Sequence, residues 1–237
     1  MRVRRFALPI FLVIVLGLLL VSINNNNLVA KQGWGMLSFE ILMIALIFLY
    51  WGFEQREDTA REIAFITVMV AIAAVGRIPF AALPGVTPTT FIVIISGFVL
   101  GPNAGFMIGS TAALVSNFFL GQGPWTPWQM FSWGLAGASA GLLKGVYPNI
   151  GIKGLAFFNF IWGYLFGCIM TLWSWAAFIQ PLNWQSFVLT YAASFWFDTF
   201  HAVGNIVFCL LFGANFVKIL KRFQRKLRVS SIDDPSP

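Results

Sequence analysis

The chain has 237 residues, of which 59% are hydrophobic and only 10% are charged, and its net charge is +7. Soluble domains carry about 25% charged residues, so this composition excludes an ordinary soluble protein and predicts an integral membrane protein. The positive charge does not indicate nucleic-acid binding, because the basic residues lie between or after apolar runs, where they report membrane orientation.

Eight apolar runs can form membrane helices, since about 20 apolar residues cross a bilayer and fewer suffice inside a bundle. In chain order they lie near residues 7–23, 36–53, 62–78, 89–101, 104–120, 128–144, 152–176 and 186–214. The fourth run is short and is closed by Pro102, which predicts a helix shielded by protein. The sequence therefore predicts an all-α, polytopic membrane helix bundle.

The first run follows three arginines and has the character of a secretory signal. A cleavage site near Ala30 is poor, because it lies beyond the polar run Asn24–Asn27. We therefore predict a retained signal anchor followed by an aqueous turn, with cleavage as the alternative.

Charge predicts the orientation of the bundle. With the N-terminus in the cytoplasm and the spans alternating, thirteen of the 15 Lys and Arg residues fall on the cytoplasmic side, and only Lys31 and Arg77 fall outside. The positive-inside rule favours this arrangement. We predict a multi-pass plasma-membrane protein with both termini in the cytoplasm.

Three loops on the predicted outer side contain Pro, near 79–88, 121–127 and 177–185. Proline lowers the freedom of an unbound loop, Trp offers a flat face, and Gln offers both donors and acceptors. The sequence GQGPWTPWQM supplies the candidate binding residues Gln122, Trp125, Trp128 and Gln129. These residues indicate either a site for a bulky, partly aromatic polar molecule or an interfacial Trp belt.

Three ionisable residues add to the candidate site. Arg77 ends the third span on the side poor in positive charge, where it either binds an anionic or amide group of a ligand or snorkels to the interface. Asp198 and His201 share a helix face, and Asp198 lies roughly 18 Å from the outer end of its span. Ionisable groups at that depth mark a ligand site or pathway, and the alternative is a structural pair that locks two helices.

Small and amide residues predict how the helices pack. Glycines recur four residues apart at 97, 101, 105 and 109, at 137 and 141, and at 163 and 167. This spacing lets helix backbones approach closely. Asn117, Asn159 and Asn205 are predicted to join helices by hydrogen bonds.

The sequence lacks the motifs of several common classes of enzyme. The sequence has no Gly-rich phosphate loop, no His-Glu-x-x-His pair and no Gly-x-Ser-x-Gly elbow, so we predict no ATPase activity and no catalytic residues of these types. Its single His excludes a His-rich metal site, and we predict no cofactor or metal. Cys168 and Cys209 lie in apolar runs and are interpreted as packing residues.

The segment GRIPFAALPGVTPTTFIVIISGFVLGPNAGFMIGSTAALVSNFFLGQGPWTPWQMFSWGLAGASAG resembles the substrate-binding S-components of energy-coupling factor (ECF) vitamin transporters. The pair GRIPF and P-x-V-x-P-T-T and the loop GQGPWTPWQ are its most specific parts. The resemblance covers roughly residues 60–214 and is closest to the cobalamin-type subgroup. It implies a six-helix substrate-binding core at 60–214, preceded by two extra transmembrane helices within 1–59 and followed by a basic cytoplasmic tail at 215–237.

The resemblance also implies partners. S-components capture a vitamin and dock on a transmembrane coupling protein that carries two ATPases, through small residues on the first core helix. The matching positions here are Ala60, Ala64, Thr67 and Ala71. For the basic tail, the apolar positions at helical spacing indicate contact with anionic membrane lipid, with partner docking as the alternative.

We therefore predict the substrate-binding subunit of an ATP-driven importer, with cobalamin or a related corrinoid as the ligand. An S-component for another vitamin such as riboflavin is the first alternative. Two other classes stay open: an intramembrane enzyme of lipid or prenyl metabolism that uses Asp198 and His201, and a stand-alone secondary transporter.

Overall fold

A computed structural model describes residues 28–54 and 59–232, with side chains described for 38–54 and 59–226. Within these ranges every regular element is a helix, which confirms the predicted all-α membrane bundle. The helices are α1 (Leu28–Glu54), α2 (Ala60–Arg77), α3 (Thr89–Leu100), α4 (Pro102–Leu120), α5 (Thr126–Val146), α6 (Ile152–Phe178) and α7 (Trp184–Ile232), with one 3₁₀ turn at Ile78–Phe80. The first predicted span, 7–23, and the predicted turn at 24–27 lie outside the described residues.

Among the described residues, four helical segments are long and apolar enough to cross a membrane. They are Ala60–Phe80, Pro102–Leu120, Ile152–Phe178 and Trp184–Lys226. Helix α5 is 21 residues long, but its glycines, serines and alanines lower its hydropathy. Helix α5 can still lie within the bundle, because a helix that packs against other helices exposes less of its surface to lipid and needs fewer apolar residues.

Helix α3 is the centre of the bundle. It has only 12 residues, and all of them except Leu100 are buried, as the prediction of a shielded short helix requires. It packs against α2, α4, α5 and α7, so protein and not lipid surrounds it. Gly101 ends the helix at φ +101°, a conformation that L side chains rarely adopt, and Pro102 then begins α4.

The predicted glycine spacings bring three helix backbones together. A Cβ atom placed on Gly97 of α3 would collide with the carbonyl of Gly137 in α5, and a Cβ on Gly137 would collide with Gly105 in α4. On the other side of the bundle, Gly163 of α6 lies against Ala202 of α7. Close approach of the backbones increases van der Waals contact between the helices. In lipid this contact matters because the hydrophobic effect does not drive helices together.

Two of the three predicted amide side chains, those of Asn117 and Asn205, join helices, whereas the prediction was wrong for Asn159, whose Nδ2 donates to the Leu155 oxygen in its own helix at 2.9 Å. Asn205 of α7 donates from Nδ2 to the backbone oxygen of Asn159 in α6 at 3.2 Å. Both residues are fully buried, so this bond ties α6 to α7 deep inside the bundle. Asn117 belongs to the site described below.

The N-terminal helix α1 packs on the outside of the later bundle. It contacts α5 and α6, and the hydroxyl of Tyr50 lies 3.0 Å from Ser110 Oγ and 2.8 Å from Thr111 Oγ1 of α4. Helix α1 therefore covers one flank of the bundle by both packing and polar contacts.

The last helix does not end with the predicted span at 214 but continues to Ile232. Its extension packs on the bundle: Leu220 is buried, Phe223 stacks on Phe65 with ring centroids 5.5 Å apart, and Gln224 donates to the oxygen of Val99 at 2.9 Å. These contacts explain the difference, because the apolar positions of the tail face α2 and α3. Residues 233–237 lie outside the described residues.

Replacement of Gly137 by Ala is expected to destabilise the bundle. The added Cβ would push α5 away from Gly105, and overpacking of this kind costs about 1–3 kcal/mol. Thermal unfolding of the purified protein in detergent measures the effect as a lowered Tm. Gly145→Ala in the same helix is the control, because its Cβ would meet nothing within 4 Å. Equal Tm values for the two variants would contradict the close contact of α4 with α5.

Candidate functional site

A cavity of about 320 Å³ lies at the end of the bundle where α2 ends and α5 begins. Residues of the segment between α2 and α3 form one wall, and Leu120 at the end of α4 forms part of another. Side chains from α5, α6 and α7 complete it. The cavity therefore draws on α2, α4, α5, α6 and α7 and on the segment between α2 and α3.

Arg77 supplies the positive charge of the cavity. Its Nη1 donates to Ser116 Oγ at 2.9 Å and to Asn117 Oδ1 at 2.7 Å, both on α4. Its guanidinium carbon lies 4.9 Å from the ring centroid of Trp133, in a cation–π contact. In the part of the chain that the structure describes, no Asp or Glu carboxylate pairs with this cation.

Asn117 connects Arg77 with the loop that the sequence singled out. Its Nδ2 donates to Thr126 Oγ1 at 3.0 Å and to Gln129 Oε1 at 2.8 Å. Thr126 in turn donates to Gln122 Oε1 at 2.9 Å and accepts from the backbone of Gly123. The acceptor side of Asn117 thus holds the arginine while its donor side orders the start of α5.

A second chain of hydrogen bonds forms the cavity floor. Trp133 Nε1 donates to Thr90 Oγ1 at 2.8 Å, and the same oxygen lies 2.7 Å from Nε2 of His201. Because the indole can only donate, Thr90 is left free to donate its own proton to His201. On this basis we assign the imidazole proton to Nδ1, an assignment that rests on the hydrogen-bonding pattern. The ring of Phe166 packs beside both, 4.7 Å from Trp133 and 5.1 Å from His201 between ring centroids.

The segment between α2 and α3 closes tightly on α7. Gly85 has φ +75°, and a Cβ on it would collide with the carbonyl oxygen of Phe197. Only glycine permits both that backbone conformation and that approach. The loop therefore lies close to α7 and lines the cavity, although Leu83 at its tip is 52% exposed.

The structure brings together some of the predicted binding residues and separates others. Arg77, Gln129 and His201 line the cavity. Gln122, Trp125, Trp128 and Asp198 are not among its lining residues. Trp125 packs edge to face on Trp173 of α6, with centroids 6.2 Å apart, and Trp128 Nε1 is buried without a hydrogen-bond partner.

Asp198 has its own surroundings between α6 and α7. Ser194 donates to its Oδ2 at 2.8 Å, and its carboxylate packs against Gly167. His201 bonds to Thr90 of α3 instead. The two residues therefore share a helix but have different partners: Asp198 bonds within α7, and His201 bonds across to α3.

Sequence reasoning missed Thr90, Ser116 and Trp133. Trp133 follows Gln129 by four residues, so helical spacing could have placed both on one face. Thr90 and Ser116 carried no comparable signal, because small hydroxyl residues are frequent in membrane helices. Among the residues that the structure describes, no group of three His, Cys, Asp or Glu side chains could hold a metal ion.

Thr90→Val is expected to destabilise the protein and to weaken the cavity floor. The isosteric change strands the indole N–H of Trp133 and the Nε2 of His201 in a buried place, at a cost of about 1–3 kcal/mol. Thermal unfolding measures the loss. Thr67→Val is the control, because the Thr67 hydroxyl is exposed and bonds only to the Ile63 carbonyl in its own helix. If the Tm of Thr90→Val falls no further than that of the control, the hydrogen bonds of Thr90 do not stabilise the fold.

Comparison with known proteins identifies the family. The family model described as "ECF transporter, substrate-specific component" matches residues 61–229, well over half of the chain. No curated protein and no solved structure gives a significant match. The matched region begins in α2 and ends in α7, so it includes the cavity and every hydrogen bond described around Arg77. The chain therefore belongs to the family of substrate-specific components of ECF transporters.

Proposed function

We propose that the cavity beside Arg77 captures a water-soluble vitamin for ATP-driven import. Membership of the family makes the chain a membrane-embedded, substrate-binding transport subunit and not an enzyme, and implies association with a coupling protein and ATPases. The observation that carries the proposal is a half-buried cation that lines the cavity and has no carboxylate partner among the described residues. A site that leaves a cation available in this way is suited to a ligand.

The charge distribution supports an outward-facing cavity. Exposed basic residues gather at the opposite end of the bundle, at Arg61, Lys153, Lys218, Lys221, Arg222, Arg225 and Lys226. The stacking of Phe65 on Phe223 joins the start of α2 to the extension of α7 at that end. By the positive-inside rule that end is cytoplasmic, and the C-terminus with it, so the cavity opens to the outside.

The predicted docking residues form an accessible face on α2. Ala60, Ala64, Thr67 and Ala71 are all exposed. Larger apolar side chains continue the same helix surface, with Val68 53% and Val75 59% exposed. Small residues permit close approach of a partner helix, so this face suits the coupling protein.

The family resemblance makes cobalamin or a related corrinoid the first ligand to test, and riboflavin the second. Such large ligands would extend beyond the cavity toward the GQGPWTPWQM segment, where Trp125 and Gln122 lie. In that case Trp125→Ala is expected to weaken cyanocobalamin binding at least tenfold in equilibrium dialysis, because Trp provides much of the available flat surface. Trp196→Ala is the matched control, because this Trp of α7 is 68% exposed and does not line the cavity. Unchanged binding in Trp125→Ala would remove this loop from the site.

Ala64→Trp is expected to prevent assembly with the coupling protein while leaving ligand capture intact. A bulky side chain on α2 keeps the helices apart, and position 64 lies far from the cavity at the other end of the helix. Co-purification with a tagged coupling protein, together with ATP-dependent vitamin uptake in proteoliposomes, measures both steps. Ala192→Trp places the same side chain on an exposed part of α7 as the control.

Two results would contradict the proposal. Full assembly of Ala64→Trp would remove the α2 face from the docking surface. Uptake that survives without the ATPases but collapses with the proton gradient would favour a stand-alone secondary transporter. An enzyme based on Asp198 and His201 is disfavoured because their side chains bond to different partners.

A further inference from the structure

The cavity is small for a corrinoid. An apolar cavity of about 150 Å³ holds one benzene molecule, so a cavity of about 320 Å³ has room for roughly two such volumes. That space suits a bicyclic molecule, or a single ring with one or two substituents. A corrin macrocycle with its side chains is several times larger and would remain mostly outside.

The polar groups that remain free at the cavity are hydrogen-bond donors. Arg77 uses Nη1 for Ser116 and Asn117, and its other N–H groups have no protein acceptor among the described residues. Gln129 uses Oε1 to accept from Asn117, which leaves its Nε2 as a donor. In the tautomer assigned to His201, Nε2 accepts from Thr90 and Nδ1 carries the proton. Donor groups from three residues, one of them permanently positive, therefore suit a ligand that carries acceptors and negative charge.

The other walls are aromatic. Phe80, Trp133, Phe166 and Phe197 line the same cavity. Aromatic side chains bind planar rings by stacking or edge-to-face contact. The ring planes of Trp133 and Phe166 are tilted by 33° at a centroid distance of 4.7 Å, which shows how closely the existing rings already pack.

We infer that the cavity selects a compact aromatic or heteroaromatic carboxylate, whose ring lies among the four aromatic residues and whose carboxylate accepts from Arg77, Gln129 and His201. This inference rests on the proposed role as a substrate-binding subunit and names the class of ligand for the same site. A neutral analogue of the same shape keeps the ring contacts and loses the charge pairing. Discrimination between acid and amide is therefore the signature of the site.

Matched pairs of probes test the inference with the purified full chain in detergent. The pairs are nicotinate and nicotinamide, 4-aminobenzoate and 4-aminobenzamide, and indole-3-acetate and indole-3-acetamide, with cyanocobalamin and riboflavin as large probes. Equilibrium dialysis with mass-spectrometric detection gives each Kd. We expect at least one acid to bind ten times more tightly than its own amide, and a tenfold excess of cyanocobalamin not to displace it.

Gln129→Glu isolates the electrostatic part. A glutamate oxygen can still accept from Asn117 Nδ2, but the variant replaces a free donor with a negative charge at a residue that shares Asn117 with Arg77. We expect the acid to lose at least tenfold in affinity and the amide to change little. Gln185→Glu, an exposed position in the first turn of α7 at the same end of the bundle, adds the same charge outside the cavity and is expected to leave both affinities unchanged.

The outcomes separate this inference from the proposed function. Cyanocobalamin or riboflavin bound more tightly than every acid, with no effect of Gln129→Glu, would overturn the inference and keep the vitamin-binding role. Equal Kd values for each acid and its own amide would also overturn the inference. If no probe binds, the inference fails, and assembly with the coupling protein then decides separately whether the transport role stands.

Discussion

The contact between Arg77 and Asn117 is the constraint on which the cavity end of the molecule depends. A guanidinium held among apolar helices must find acceptors, because a buried charge without partners costs far more than a hydrogen bond returns. Asn117 supplies one acceptor and turns its amide nitrogen toward Thr126 and Gln129. One side chain thereby fixes the end of α2, the end of α4 and the start of α5 relative to one another. These hydrogen bonds hold together three helix ends that border the cavity.

The rest of the bundle is built to hold that arrangement rigid. Glycine contacts among α3, α4 and α5 bring backbones together without flexible side chains between them, and the hydrogen bond from Asn205 to Asn159 ties α6 to α7. Helix α7 runs from the cavity, which it lines with His201, to the opposite end, where Gln224 bonds to the end of α3. A single helix therefore links the ligand site with the basic end. Such a bundle is suited to respond to a partner as one body, which is how a subunit without its own ATPase can be driven.

Much of the fold was readable from the sequence, because the signals for it are local. Apolar runs predicted the described helices, glycine spacing predicted the close backbones, and the short run before Pro102 predicted the shielded helix α3. The helical spacing of apolar residues in the tail was readable, but its predicted partner was anionic lipid, whereas Phe223 and Gln224 of α7 contact α2 and α3. The candidate site was harder. Arg77, Gln129 and His201 stand out by residue type, but Thr90 reaches His201 across 111 residues of sequence, and no periodicity reports such a contact. Trp125 and Trp128 attracted attention by composition, yet the cavity is lined by Trp133 instead.

The central claim is that Arg77 is a cation available to a ligand and not only a structural brace. Mass spectrometry of small molecules that co-purify with the chain tests this most directly, in the parent protein and in Arg77→Met with Arg61→Met as the control at the other end of α2. We predict that a compact acidic molecule co-purifies with the parent protein and with Arg61→Met. It should be lost from Arg77→Met even where that variant keeps its helical fold. The same molecule retained by folded Arg77→Met, or a neutral molecule bound in all three proteins, would contradict this prediction.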